Sequence, residues 1–199
     1  MAVTLQGRFV TLRPLSLTDV NEMRELLAGP RDTFQWTLVP HPHEVEAYLA
    51  SALRSGMVAF ATCAPGGEML GSTRFFDLQK WEWPAGRDPR PGHDGFDACE
   101  IGYTWLAAHA QRTPVNTEAK LLMLRHAFET WGCYRVTLKT DERNQRSRRA
   151  IERLGARLDG ILRAHQAASD GTPRNSAYYT ILAGEWPSVR ARLEERLAH

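Results

Sequence analysis

The order of strand and helix patterns along the chain constrains its fold more than any other feature. Residues 8–14 alternate in polarity and stop at Arg13-Pro14, which is typical of a strand. Two helices are predicted next. The first opens at Ser16-Leu17-Thr18-Asp19, a capping-box pattern with Asp in place of Glu, and the second runs from about 44 to 54.

The middle of the chain carries strand signals over 57–63, 69–77 and 99–106. Pro65-Gly66-Gly67 joins the first two as a hairpin. Residues 80–97 form a long loop that contains Gly, Pro and the aromatic residues Trp81, Trp83 and Phe96. Loops of this length in compact domains are commonly functional. We expect this loop to cover a substrate site, to support a dimer, or to be a variable surface loop.

The last third of the chain alternates between helix and strand patterns. A helix is predicted over about 117–131, a strand over 134–140, a short helix over 147–154 and a strand pair around Asp170-Gly171, before a charged amphipathic helix from Glu185. This order predicts a single mixed α/β (α+β) domain over residues 1–199, with a central sheet of about seven strands flanked by helices.

Composition excludes several classes of protein. The net charge of +2 does not indicate a nucleic-acid or membrane partner. Cys63, Cys99 and Cys133 form no Cys-x-x-Cys pair, so we predict buried thiols and no metal site. No signal segment opens the chain and no stretch approaches 18 apolar residues, so we expect a cytoplasmic protein.

The first motif with chemical content is the passage from strand to helix over residues 100–131. The amides at the start of a helix have no partner within it, and with the helix dipole they can bind a phosphate. Asn116 or Thr117 is predicted to cap this helix, and Arg112 could add a guanidinium to the same anion. A strand, turn and helix that bind nothing are the alternative.

The second motif is Asn144-Gln145-Arg146-Ser147, which leads into the sequence RRAIERLGA. Taken alone, Asn144 could be a turn residue or an N-cap, and Ser147 a polar residue of the first helical turn. The surrounding arginines are either a solvated helix face or a site for a negatively charged ligand.

Together these segments resemble the Gcn5-related N-acetyltransferase (GNAT) superfamily, in particular the branch of the ribosomal-protein-alanine N-acetyltransferases. The resemblance covers nearly the whole chain. It is carried by several short segments in the family's order: Leu12-Arg13-Pro14-Leu15, Gly71, Glu100-Ile101-Gly102-Tyr103-Thr104-Trp105-Leu106, Thr117-Glu118-Ala119, Asn144–Ser147 and Leu154-Gly155-Ala156.

The resemblance implies an acetyl-CoA site and no metal. The pantetheine arm would run beside Thr104, Trp105 and Leu106 as an added strand. The pyrophosphate would lie on the turn, whose residues are Gln111, Arg112, Thr113, Val115, Asn116 and Thr117. Asn144 would hydrogen-bond the cofactor or the amine, and Ser147 would lie near the sulfur.

The turn departs from the family's pattern, which usually reads Gln/Arg-x-x-Gly-x-Gly/Ala. Pro114 stands in place of the first glycine and Asn116 in place of the second. Proline has no N–H, so one donor to a phosphate is missing. Our hypothesis is that Arg112, Thr113 and the Asn116 side chain replace what the glycines supply.

The family's reaction would require a base, because an alkylammonium is mostly protonated at neutral pH. Glu100 is the candidate base and Ser147 the candidate acid, with Tyr178 and Tyr179 in reserve. The acceptor would be a primary amine of a small molecule or of a protein N-terminus, and a homodimer stays open. The alternatives are transfer of a longer acyl group such as succinyl, and a non-catalytic domain of the same fold that binds RNA or protein.

Overall fold

Eight strands form one mixed sheet in a computed structural model of the chain, which describes residues 3–199. Met1 and Ala2, included in the predicted domain, lie outside the described residues. The strands are β1 (Leu5–Gln6), β2 (Thr11–Pro14), β3 (Val58–Cys63), β4 (Met69–Gln79), β5 (Ala98–Leu106), β6 (Arg135–Asp141), β7 (Arg157–Ala167) and β8 (Pro173–Leu182). Their order in the sheet is β1-β2-β3-β4-β5-β6-β8-β7. The predicted mixed α/β architecture is confirmed, with one strand more than expected, because the two-residue β1 is too short to show alternation.

Between residues 3 and 199, five α-helices flank the sheet: α1 (Val20–Leu27), α2 (Val45–Ala52), α3 (Pro114–Arg125), α4 (Gln145–Leu154) and α5 (Trp186–Ala198). The predicted capping box is present, since the Asp19 carboxylate accepts the Ser16 amide at 2.8 Å just before α1. Gly155 ends α4 with a φ of 100°, a left-handed conformation that glycine adopts at little cost.

Helix α3 begins three residues earlier than predicted, and another residue caps it. Thr113 is the N-cap, with its Oγ1 3.4 Å from the amide nitrogen of Val115, and Pro114 is the first helical residue. The predicted caps Asn116 and Thr117 lie inside the first turn, so that prediction was wrong. Proline is well suited to the first helical position because its missing N–H would have no partner in the helix.

The pairing of β5 with β6 divides the sheet into two halves. It is the parallel pair of the sheet, and it joins only Ala98 to Arg135, Cys99 to Val136 and Glu100 to Thr137. Beyond Glu100, β5 stays bonded to β4 on its other edge, through Trp105 and Leu106. A gap therefore opens between residues 102–106 and the end of β6.

The helices cover the two faces of the sheet unequally. Helices α1 and α2 pack on one face, in a core that includes Met23, Leu49 and Trp105. Helices α3, α4 and α5 pack on the other face and bury Met123, Ile151 and other apolar residues against β5, β6 and β8. Within residues 3–199, the α1/α2 face of β6, β7 and β8 is left without a helix and forms the floor of a cavity.

Two buried ionisable residues of α3 hold the helix against the sheet. The Glu118 carboxylate accepts the backbone amides of Arg8 (2.8 Å), Phe9 (2.6 Å) and Val10 (2.8 Å). Lys120 is 4% exposed, and its Nζ donates to the hydroxyls of Thr73 (3.0 Å) and Thr104 (2.7 Å). Both threonine side chains come from the strands beneath α3, so the helix is fixed over the β4–β5 pair.

Burial lowers the pKa of Lys120 from 10.5 to about 7. The folded protein therefore favours a neutral amine, while the unfolded chain holds the proton up to about pH 10. Because the unfolded state binds more protons between pH 7 and 10.5, the free energy of unfolding rises with pH through this window. Below pH 7 Lys120 is protonated in both the folded and the unfolded state, so the fold carries the full cost of burying the charged amine.

We predict that Lys120→Met removes this pH dependence. Between about pH 7 and pH 9, the free energy of unfolding of the unmodified protein should rise by roughly 2–3 kcal/mol relative to that of the variant. Urea denaturation at both pH values measures the difference, with Lys80→Met, an exposed lysine, as the control. Equal pH dependence in the unmodified protein and Lys120→Met would show that Lys120 stays charged in the fold.

Candidate functional site

A cavity of about 490 Å³ lies on the uncovered face of the sheet, where β5 and β6 begin to part. Side chains and backbone of the strands β4 to β8 surround it. Its lining is Phe76, Asp77, Glu100, Arg135, Thr137, Lys139, Asp159, Gly160, Ile161, Leu162, Tyr178 and Thr180. The lining mixes carboxylates, cations, hydroxyls and apolar groups, which suits a small polar ligand.

Glu100 is the most buried charged residue of this cavity, at 3% exposed. Its Oε2 accepts a hydrogen bond from Lys139 Nζ at 2.9 Å, whereas Oε1 has no partner within residues 3–199. Burial raises the pKa of Glu100 to about 7, although Lys139 favours the ionised form. Glu100 is also the last β5 residue paired with β6, so it lies at the start of the gap.

Two further buried donors on this part of the sheet lack partners. Arg135 Nε and Arg174 Nε form no hydrogen bond with the described part of the chain, and Arg174 is 8% exposed. On β8, Arg174 shares the alternation of Tyr178, which places it on the cavity face. Folded proteins leave few buried polar groups unsatisfied, so these two nitrogens and the Glu100 oxygen are atoms that a ligand or water on this face could satisfy.

Gln111 connects the two sequence motifs. Its Nε2 donates to the carbonyl oxygen of Leu106 at 2.8 Å and to the hydroxyl of Thr33 at 2.9 Å. Its Oε1 accepts from Arg146, the residue before Ser147 on α4. The turn before α3 and the start of α4 therefore face each other across the gap between β5 and β6.

Arg112 has an unusual backbone for its residue type. Its φ is 61°, in the left-handed region, and its side chain is exposed. Residues other than glycine adopt this conformation at a cost, which is often found at functional sites. Arg112 immediately precedes Thr113, the N-cap of α3, and the N-terminus of a helix favours an anion.

The other predicted residues of this turn offer mainly backbone groups. Val115 is 8% exposed, and its amide is used by the Thr113 cap. Asn116 and Thr117 are half-buried in the first turn of α3. Of these, Asn116 occupies the third helical position, whose amide has no partner four residues earlier in the helix.

Thr104, Trp105 and Leu106 present their backbone edge to the gap and turn their side chains elsewhere. Thr104 bonds Lys120 under α3, Trp105 packs against α1 and α2, and Leu106 lies in the larger core. Because β4 occupies one edge of these residues, only the opposite edge faces the gap. Any contact of these three residues with a cofactor would be through the main chain.

Asn144 and Ser147 form the start of α4. The Asn144 Oδ1 accepts the Ser147 amide at 3.0 Å, so Asn144 is the N-cap of this helix. Ser147 is not among the residues that line the cavity of Glu100. The structure therefore shows the capping role, and the predicted contacts of both residues with a cofactor stay predictions.

The two reserve tyrosines lie on opposite faces of β8. Tyr178 lines the cavity, and its hydroxyl lies 3.1 Å from His165 Nε2. Tyr179 is fully buried on the other face, where its hydroxyl bonds Arg148 (2.8 Å) and Glu152 (3.1 Å). Tyr179 therefore cannot reach the cavity, and only Tyr178 remains a candidate.

The loop 80–97 is anchored on the sheet beside one end of the cavity. Trp81 stacks on Tyr134 with ring centroids 5.6 Å apart, and Trp83 meets the same ring edge-on at 5.7 Å. Arg90 binds Asp97 at 2.6 Å and lies over Tyr134. Tyr134 precedes the cavity residue Arg135, but the described lining of the cavity includes no residue of the loop, so its predicted roles stay predictions.

The described residues hold no group of three side chains suited to a metal ion. Cys99 and Cys133 are free and buried, with their sulfurs 4.0 Å apart, and Cys63 is also free and buried. None of the helices between residues 3 and 199 is long and apolar enough to cross a membrane.

Sequence reasoning missed three charged or polar residues of this face: Lys139, His165 and Arg174. Lys139 alternates with the buried Val136 and Leu138, so its position on the opposite face could have been read from the pattern. The position of His165 on this face could not be read from the pattern, because an irregular stretch of β7 sets the direction of its side chain.

Comparisons with known proteins agree with this architecture. Residues 10–157 match the model of the acetyltransferase (GNAT) domain family. A search among curated proteins gave no match.

Solved structures resemble the chain over nearly its whole length. A protein from T. thermophilus described as an acetyltransferase is 34% identical, with a TM-score of 0.80, over 99% of this chain and 98% of that one. A GCN5-related N-acetyltransferase from Brucella melitensis is 25% identical, with a TM-score of 0.83, over 99% and 86%. RimJ of Mycobacterium smegmatis, solved in complex with CoA-disulfide, shares the fold at 21% identity and a TM-score of 0.76, over 98% and 93%.

We predict that the Arg112 side chain contributes to binding of CoA at the turn. Arg112→Gly keeps the left-handed backbone available and removes the guanidinium, so it isolates the side chain better than Arg112→Ala, which retains the backbone strain. Both variants should bind CoA about 5- to 20-fold more weakly in calorimetric titrations, as expected for loss of one charge-assisted contact. Unchanged affinity in both would show that backbone amides alone bind the anion, and exposed Arg54→Gly is the control.

Proposed function

The chain belongs to the GNAT acetyltransferase family, and we propose that it transfers an acetyl group from acetyl-CoA to a primary amine of a small molecule or of a protein N-terminus. The observation that carries the proposal is Glu100, a buried carboxyl group with one unpartnered oxygen at the point where β5 and β6 part. The family membership supports the reaction class, and the cavity supports the place of the acceptor.

The residues around the gap fit acetyl-CoA. The backbone edge of residues 102–106 has no strand partner on the side of the gap, so it can accept the amide groups of a pantetheine arm. At the end of this edge lie the N-terminus of α3, with its dipole, and the exposed Arg112 guanidinium. Acetyl-CoA would supply the thioester whose acetyl group is transferred.

Glu100 is assigned the role of base. The attacking amine must lose a proton, and an alkylammonium has a pKa near 10. A carboxyl group with a pKa of about 7 can accept that proton at neutral pH far better than an ordinary carboxylate. Lys139 holds Oε2 in place, which leaves Oε1 to take the proton.

Ser147 is assigned to the sulfur side of the reaction. It lies in the first turn of α4, and its amide is already bound by Asn144. Its hydroxyl would donate a hydrogen bond to the departing sulfur. A hydroxyl is a weak acid, so we expect the contribution of Ser147 to be smaller than that of Glu100.

Two residues of the arginine-rich segment already have partners, which weighs against their binding a carboxylated acyl group. Arg143 is bound to Asp141 (2.8 Å) and Asp170 (2.9 Å) and stacks on Trp36, and Arg146 is bound to Gln111. The same bonds reduce the number of arginines free to bind RNA, although Arg149 and Arg153 on α4 are exposed. Both alternatives are therefore kept as outcomes of the experiment below.

The proposal is tested first by calorimetric titration with acetyl-CoA and with succinyl-CoA, at about 50 and about 200 mM salt. Micromolar binding of acetyl-CoA that persists at the higher salt concentration supports the cofactor site. Preference for succinyl-CoA would favour the longer acyl group. Absence of CoA binding together with salt-sensitive retention on RNA would favour the non-catalytic alternative.

We predict that Glu100→Gln lowers kcat by about 10²- to 10⁴-fold with little change in affinity for acetyl-CoA. Because Glu100 acts when deprotonated, kcat/KM of the unmodified protein should rise with pH through about 7, and the variant should lose this limb. Release of CoA measured with a panel of primary amines and dipeptides, from about pH 5.5 to about pH 9, tests both expectations. Glu195→Gln, an exposed glutamate of α5, is the control. Near-normal turnover of Glu100→Gln at all pH values would remove Glu100 from the mechanism.

A further inference from the structure

A chain of three side chains leads from the interior of the C-terminal hairpin into the cavity. Ser176 is fully buried on β8, and its Oγ lies 3.0 Å from His165 Nδ1. The other ring nitrogen of His165, Nε2, lies 3.1 Å from the hydroxyl of Tyr178. The two rings also meet edge-on, with centroids 5.5 Å apart. Tyr178 is the member of this chain that lines the cavity.

Tyr178 is placed beside the candidate base. In the β6–β8 pairing it lies opposite Lys139, the residue that binds Glu100. The Lys139 Nζ lies 5.4 Å from the centre of the Tyr178 ring. The phenol on β8 and the Glu100 carboxylate on β5 therefore border the same cavity from the two sides of β6.

The direction of His165 depends on an irregularity in β7. Leu162 pairs with Ser176 and Gln166 with Arg174, so β7 holds two more residues than β8 over this stretch. Ala164 has a φ of 46°, and its amide donates to Asn175 Oδ1 at 2.8 Å. In a regular strand, residue 165 would face away from the cavity side of Leu162. Bulges of this kind re-aim side chains near functional sites, and a strained alanine is retained here.

We propose that His165 is a positioning residue for acetyl transfer, which accepts the Tyr178 hydroxyl proton in a hydrogen bond and so turns the lone pairs of the Tyr178 oxygen toward the amine. In this arrangement Nδ1 carries the ring proton and donates to Ser176, and Nε2 accepts from Tyr178. The phenol oxygen then accepts an N–H of the attacking amine, and no proton leaves Tyr178. The inference rests on the proposed transfer to an amine.

The charges around His165 favour this arrangement. Lys139 on β6 and Arg174 on β8 both face it, while Tyr178 and Ser176 are its hydrogen-bond partners. Burial first, and then these two cations, lower the pKa of His165. A neutral imidazole must accept at one nitrogen, whereas an imidazolium would donate to Tyr178 and turn the hydroxyl hydrogen toward the cavity.

The kinetic test uses acetyl-CoA with two acceptor probes, alanyl-glycine and 2-phenylethylamine. His165→Leu should lower kcat/KM for the amine about tenfold, the effect of one lost hydrogen bond, with KM for acetyl-CoA unchanged. Tyr178→Phe should give a similar loss, and the double variant should lose no more than either single variant. His165→Gln, which retains an acceptor, should recover most of the activity, and exposed His43→Leu is the control.

A second readout does not depend on activity. In ¹⁵N NMR spectra of the unmodified protein at about pH 7.5, the ring nitrogens of His165 are assigned as the resonances that are missing from His165→Leu. These resonances should show a neutral ring with the proton on Nδ1. An Nε2–H tautomer or an imidazolium would overturn the proposed role of His165, as would additive losses in the double variant. Absence of turnover with both probes in the unmodified protein would instead count against the proposed function, and the NMR result would still decide the orientation of Tyr178.

Discussion

The short pairing between β5 and β6 is the constraint on which the rest of the site depends. Three residue pairs hold the two halves of the sheet together, and beyond Glu100 the strands part. A left-handed residue, Tyr103, and a shift in the β4–β5 register accompany the divergence. Where β5 and β6 part, main-chain donors and acceptors of β5 have no strand partner. Leaving such groups unpaired costs free energy unless water or a ligand satisfies them. Glu100, as the last paired residue, is held by the sheet yet borders the opening.

The unequal covering of the two faces determines which side chains reach that opening. With α3, α4 and α5 on one face, β6 and β8 can be apolar there and polar on the other. The polar positions alternate and meet across the strands, so Lys139 lies opposite Tyr178 and Asp141 opposite Ser176. A sheet face that no helix covers can carry buried charges only if they pair with each other or with a ligand. Lys139 pairs with Glu100, whereas Arg174 has no salt bridge within residues 3–199.

The strands and helices of the core were predictable because their apolar period is regular. The capping box at Ser16, the hairpin at Pro65-Gly66-Gly67 and the helix end at Gly155 are local signals, and all three are observed. The start of α3 was missed because proline ends a helix as readily as it begins one, and only the Thr113 cap distinguishes the two. The buried charges of α3 were also missed, since Glu118 and Lys120 read as surface residues in sequence. Their partners lie on β4, β5 and the segment before β2, and such long-range pairs leave no local pattern.

The turn before α3 differs from the glycine pattern expected of the family, yet it still leads into a regular, capped helix N-terminus. Pro114 occupies the first helical position, where no intrahelical bond is lost, and it also fixes the backbone for the helix. The left-handed conformation falls on Arg112, which is not one of the two family glycine positions. A glycine at 112 would adopt this φ more easily, so the backbone strain at Arg112 is one reason for our prediction that its side chain is used in binding. The Thr113 cap takes the Val115 amide, and Pro114 has no N–H, so the hypothesis that Arg112 supplies a donor to an anion rests on a turn with few free amides.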